Sequence, residues 1–72
     1  MKSIETTYNI NYVLKNNTKN QIIEISSLSA AKQEFDNLIK NISNYEYVSL
    51  IEIVIDHTNM KVITKELYTI KN

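Results

Sequence analysis

Seventy-two residues without one glycine or one proline leave a chain few ways to turn. Glycine supplies left-handed backbone without steric penalty, and proline pre-sets the bend of a tight turn. Asparagine tolerates the left-handed region best after glycine, and this chain has ten asparagines. Left-handed positions are therefore expected at asparagines, foremost Asn16, Asn17 or Asn20 in the polar stretch 15–20. The same absence removes whole classes of chemistry. Phosphate-cradling loops and dinucleotide fingerprints need glycine so that backbone can approach the ligand closely. None of the six serines can sit in a Gly-x-Ser-x-Gly elbow. The missing cysteine excludes a disulfide framework, a thiolate zinc site and a thiol nucleophile.

Between the turns, hydrophobic periodicity assigns the elements. In residues 4–14, Ile4, Thr6, Tyr8, Ile10, Tyr12 and Leu14 alternate with Glu5, Thr7, Asn9, Asn11 and Val13. Period two with β-branched and aromatic residues on one side predicts a half-buried strand. A second strand over 21–25 follows the polar turn, and so short a connection makes the pair an antiparallel hairpin. Over 28–42 the period changes. Leu28, Ala31, Phe35, Leu38 and Ile42 are spaced as one face of an amphipathic helix of about four turns. Ser27 or Ser29 is its expected N-cap; Asn41 or Asn44 is expected to close it in place of glycine. Lys40 suits the negative end of the helix dipole.

Residues 45–55 form the most strand-like segment, and both of its faces are apolar. Tyr45, Tyr47, Ser49, Ile51, Ile53 and Ile55 fall on one side; Glu46, Val48, Leu50, Glu52 and Val54 fall on the other. After a turn at 56–60, residues 61–70 make a fourth strand. The order β-β-α-β-β predicts an α+β fold in one domain spanning 1–72: one helix packed on a four-stranded antiparallel sheet, a two-layer sandwich. One helix covers four strands incompletely. The opposite sheet face is expected to be partly open, with Val48, Leu50 and Val54 on it. An exposed apolar face of that kind marks an interface.

Eight lysines balance six glutamates and two aspartates, giving zero formal net charge. That balance disfavours a dedicated nucleic-acid binder and an acidic DNA mimic alike. No apolar run approaches the ~18–20 residues a membrane span needs, and the first residues lack the apolar region of a signal peptide. A soluble, cytoplasmic protein is the expectation. His57, the only histidine, lies beside Asp56, an acid–base pairing in principle; a polar hairpin turn accounts for both. No cofactor or metal site is expected. Tyr8, Tyr12, Tyr45, Tyr47 and Tyr68 admit three readings: cross-strand packing, a protein interface, or base stacking. Tyr8 and Tyr12 flank Ile10 and read as packing; Tyr45 and Tyr47 read as surface anchors. The candidate interface is therefore Tyr45, Tyr47, Val48, Leu50 and Val54.

Twelve isoleucines, together with abundant lysine and asparagine and no glycine, proline or arginine, fit an A/T-rich genome such as a low-GC Gram-positive bacterium, its phages or its plasmids. Residues 27–38, Ser-Leu-Ser-Ala-Ala-Lys-Gln-Glu-Phe-Asp-Asn-Leu, and 45–50, Tyr-Glu-Tyr-Val-Ser-Leu, resemble the small accessory proteins of Firmicute phages and mobile elements. Those combine a "Ser/Thr-Leu-x-x-Ala…Phe-x-x-Leu" helix with a "Tyr-x-x-Val-x-Leu" strand and a last hairpin. The resemblance spans most of the chain and assigns no functional residue. It implies an anti-CRISPR-like inhibitor, not an enzyme, that binds a host protein such as a CRISPR effector or another defence enzyme. A homodimer is compatible with that role. The alternatives are a small homo-oligomeric structural or assembly protein and, behind it, a weak nucleic-acid-binding module using lysine and tyrosine.

Overall fold

The computed structural model describes residues 3–17 and 19–71. Along the chain lie β1 (Ile4–Leu14), β2 (Asn20–Ile25), α1 (Leu28–Ile39), a 3-10 turn (Ile42–Asn44), β3 (Tyr45–Asp56) and β4 (Lys61–Lys71). The strands form one antiparallel sheet in the order β2-β1-β3-β4, with α1 packed on one face. The α+β two-layer arrangement expected from the alternation is the one the chain adopts.

Strand order explains where the helix lies. β2 and β3 each pair antiparallel with β1, so they run parallel to each other with β1 between them. Two parallel strands need a crossover, and α1 provides it. Leaving β2 and returning at β3, the helix has to pass over β1. It packs mainly on β1 and β3 and reaches β4 only at its edge, where Phe35 meets Tyr68. Ser27 is the N-cap: its Oγ accepts from the Ala30 backbone N–H at 3.4 Å and lies 3.1 Å from Ser29 Oγ. The helix is shorter than its periodicity suggests. It ends at Ile39, with Lys40 as C-cap, and the chain then tightens into the 3-10 turn instead of carrying Ile42 along the same face. There the Asn41 N–H donates to Leu38 O and the Asn44 N–H to Asn41 O, but neither asparagine takes the cap position expected of it: the right-handed Lys40 does.

The core sits where α1 meets the two central strands. Ile10, Val48, Leu50 and Ala31 are completely buried, with Tyr8 and Phe35 nearly so. Register fixes this. Ile10 lies opposite Leu50 and Tyr12 opposite Val48, and directly paired antiparallel residues share a face. The even-numbered residues of β1 and β3 therefore look at the helix together. Val48 and Leu50 belong to the core and not to an open face, because Phe35 and Ala31 close over them. Val54 shares their side but lies past the helix start and is half-buried.

Two irregularities shift the side-chain phase. Val13 pairs with Tyr47 but Leu14 pairs with Tyr45, so Glu46 is an extra residue in β3. Tyr45 thereby turns to the helix side, where its ring meets Tyr12 edge to face at 5.5 Å and 89°. Tyr47 stays on the opposite face. Leu50 pairs with Tyr68 but Ile51 pairs with Glu66, so Leu67 is extra in β4. Among the described residues no asparagine adopts a left-handed backbone. Met60 does, with φ 55°, in the turn between β3 and β4.

Candidate protein-interaction surface

Helix and sheet differ greatly in length. Twelve residues of α1 extend about 18 Å. Twelve residues of β3 extend about 40 Å, close to the 42 Å long axis of the molecule. β2 reaches only as far as Tyr8 along β1. Past that level the first residues of β1, the second half of β3 and the first half of β4 project as a three-stranded ribbon. Neither α1 nor β2 covers it.

On the helix side, the uncovered surface is an apolar strip bent around α1. Beside the helix, Tyr68 is 48% exposed and its ring lies 5.8 Å from Phe35. Ile70 and Leu28 are exposed with it. A groove of about 380 Å³ between helix and β4 is lined by Lys32, Phe35, Asp36, Ile39, Tyr68 and Ile70. A second hollow, sharing Lys32 and Tyr68, continues to Leu28, Leu67 and the Lys65–Glu66 pair. Along the ribbon the strip runs on through Val54, Ile63, which is 59% exposed, and Ile4. Glu52 and Lys65 pair across β3 and β4 between Tyr68 and Ile63 and so divide the strip into two apolar groups, while Lys32, Asp36 and Lys61 border it.

The helix-free face is built differently. The central strands present Thr7, Asn9, Asn11 and Val13 beside Tyr47, Ser49, Ile51, Ile53 and Ile55. None of these is charged. Glu24, Glu66 and Lys71 lie on the two edge strands, and Glu5 lies at one end of β1. The Ser49 and Thr69 hydroxyls are 3.0 Å apart, and Thr69 also donates to Glu66. The amide oxygens of Asn9 and Asn11 are buried without a hydrogen-bond partner.

The interface residues read from sequence do not converge. Val48 and Leu50 are core. Tyr45 is half-buried against Tyr12. Tyr47 lies on the helix-free face, where its hydroxyl donates to Asn20 Oδ1 at 3.0 Å. Val54 alone borders the helix-side strip. Of the residues that do form the strip, Ile4, Leu28, Ile63, Tyr68 and Ile70, only Tyr68 is weighed as an interface residue from sequence, and none is in the candidate set. Their exposure follows from where the helix lies, which no local pattern records.

The acid–base candidates have structural occupations. Asp56 Oδ1 accepts from the Thr58 and Asn59 backbone N–H groups at 3.0 and 3.2 Å, and Oδ2 accepts from Asn59 Nδ2 at 2.8 Å. The Asn59 side chain foremost, then these backbone donors, hold the Asp56 carboxyl below the usual carboxylate range. His57 Nε2 approaches Glu5 Oε2 at 3.4 Å, in the open, and its backbone N–H donates to Ser3 O at 2.7 Å. Tyr8 donates to Glu52 Oε2 at 3.4 Å. Burial first, and then the Glu52 charge, push its phenol above the usual range. Among the described residues no three His, Cys, Asp or Glu side chains gather to hold a metal ion, and no helix is long and apolar enough to cross a membrane. No protein-family model matches the chain, and neither a curated protein nor a solved structure is significantly similar to it.

Proposed function

We propose that this chain is a non-enzymatic protein-binding module, encoded by a phage or mobile element, that inhibits a host defence protein by direct contact in the host cytoplasm. The observation that carries the binding role is the helix-side strip. Tyr68, Leu28 and Ile70 are exposed beside the helix, and Ile63 and Ile4 are each more than half exposed farther along the ribbon. Exposed apolar surface with a charged border is the anatomy of a protein contact. Fully burying an isoleucine-sized side chain contributes roughly 1.5–3 kcal/mol, so such anchors offset part of the roughly 4–15 kcal/mol that association costs. The inhibitory role, the phage or mobile-element origin and the CRISPR effector as target class rest on the resemblance of residues 27–38 and 45–50 and on the A/T-biased composition.

The test has two arms. In a low-GC Gram-positive host whose CRISPR system restricts a phage, expression of the chain should restore plaque formation. Ile63→Asp, at an exposed position away from the core, and Tyr68→Asp, at the core's edge beside Phe35 and checked for an unchanged far-UV spectrum, should abolish that rescue and weaken binding to the captured partner at least about tenfold. Unchanged restriction in hosts carrying different defence systems would refute the inhibitor role. Full rescue by both variants would refute the strip as its surface.

A further inference from the structure

We propose that the helix-free sheet face is a self-association surface on which a second copy of this chain stacks, face to face, about a two-fold axis. This goes beyond the proposed inhibitor role and does not depend on it, since the strip assigned to a foreign partner lies on the other side of the sheet.

The first support is surface area. A compact chain of 8.4 kDa exposes about 4,600 Å² by the scaling of monomeric proteins, whereas this one exposes 5181 Å². The excess is what a flat molecule of 42 × 23 × 15 Å leaves unburied. Its largest cross-section is bounded by 42 × 23 Å, so a face-to-face contact of the ~800 Å² per partner of a standard stable interface has to use most of that face. Two sheets stacked about 10 Å apart form the ordinary aligned sandwich.

Charge placement is the second support. On this face the two central strands are uncharged, and every charged side chain sits on an edge strand or at a strand end. Depletion of charge at the centre with charge kept to the rim distinguishes a buried contact from ordinary surface. With zero net charge on the chain, two copies meet without long-range repulsion.

The third support concerns polarity. Asn9 and Asn11 stand at the middle of the face with their amide oxygens unpaired. These oxygens are already closed off within the single chain, so the amide nitrogens are the groups left for a second copy to meet. Beside them, Ile51, Ile53, Ile55 and Val62 supply the apolar part of the contact. Edge-to-edge association is the less suitable route. β4 carries Lys61, Lys65 and Lys71 and a bulge at Leu67, features that discourage another strand from pairing there.

Sedimentation and light scattering decide it. The full chain at micromolar concentration should have twice the mass of the 8.4 kDa monomer. Ile53→Lys, which puts a charge at the apolar centre, should weaken dimerisation at least about tenfold while the far-UV spectrum is unchanged. Val62→Glu is the second variant, should Ile53→Lys not fold. Val62 is 64% exposed in the monomer, so a charge there costs the isolated chain little. Tyr68→Lys, on the opposite side, should leave the dimer intact. A monomeric wild-type chain across the micromolar range overturns the proposal. Dimers unaffected by Val62→Glu, or dissociated by Tyr68→Lys alone, overturn it equally.

Discussion

Replacing Met60 by glycine should stabilise the protein, and the reason lies entirely in the backbone. Met60 closes the turn between β3 and β4 with φ 55°, and its side chain is 87% exposed. An L-residue with a Cβ in the left-handed region crowds the following carbonyl, at about 1–2 kcal/mol. Glycine removes that crowding but loses roughly 0.5–1 kcal/mol of extra chain entropy on folding. The net gain expected is about 0.5–1 kcal/mol, a rise in Tm of about 2–8 °C for a domain of this size. The turn geometry should survive, because Asp56 anchors it through Thr58 and Asn59. Met60→Ala is the control: it deletes the thioether and keeps the Cβ, so it should give no gain. Thermal and urea unfolding followed by far-UV circular dichroism, at one fixed protein concentration, measure the difference. Glycine no more stable than alanine would refute the reasoning, since the left-handed backbone would then carry no steric penalty.

Other perturbations probe the core and the titrating groups. Leu50→Ala, at a completely buried position beneath α1, should cost about 2–5 kcal/mol in denaturant unfolding. A loss under 1 kcal/mol would be inconsistent with the assigned face of β3. Because the folded state lowers the Asp56 pKa, its contribution is present above the ordinary carboxylate range and is lost as pH falls through the depressed value. Asp56→Ala should therefore flatten the acid limb of a stability–pH profile, and an unchanged limb would contradict the turn's role. Tyr8 has the opposite sign. Its raised pKa favours the neutral phenol when folded, so stability should fall as pH climbs above the ordinary tyrosine range, and Tyr8→Phe should lessen that fall.

How much of this was written in the chain differs by element. β1 was legible because one side is Ile, Tyr and Leu while the other is largely Asn, Thr and Glu, so only one face could be buried. β3 was legible as a strand but not as a face. Ile51, Ile53 and Ile55 oppose Val48, Leu50 and Val54, and hydropathy does not distinguish the two sets. Pairing with β1 decides between them, through Ile10 opposite Leu50. Without glycine to mark them, the extra residues at Glu46 and Leu67 left no signal, yet the first separates Tyr45 from Tyr47. The left-handed residue was expected at Asn16, Asn17 or Asn20, yet it falls in the last turn. There Asn59 uses its amide to bind Asp56, and the next residue, Met60, takes the strained position.

The helix-side strip was illegible for a different reason: it is a consequence of connectivity. β2 ends at Ile25 and α1 begins at Leu28, so the helix must rise directly from the edge strand, pass over β1 and descend to β3. β4 pairs only with β3 and adjoins that path only along one side, where Tyr68 meets Phe35. The apolar residues that β4 turns to the helix side, Ile63, Tyr68 and Ile70, are thus left bare by strand order and short links. The opposite face is left bare by the presence of a single helix. Two uncovered surfaces on opposite sides of one sheet can be occupied at once. A two-fold dimer through the helix-free faces would hold two identical helix-side strips pointing outward. Such a molecule engages two copies of a target, and its avidity then depends on their spacing as well as on each contact. Under this arrangement Val62→Glu should lower inhibitory potency while leaving the affinity of a single strip for its target unchanged. Tyr68→Asp should do the reverse, weakening each contact while preserving the dimer.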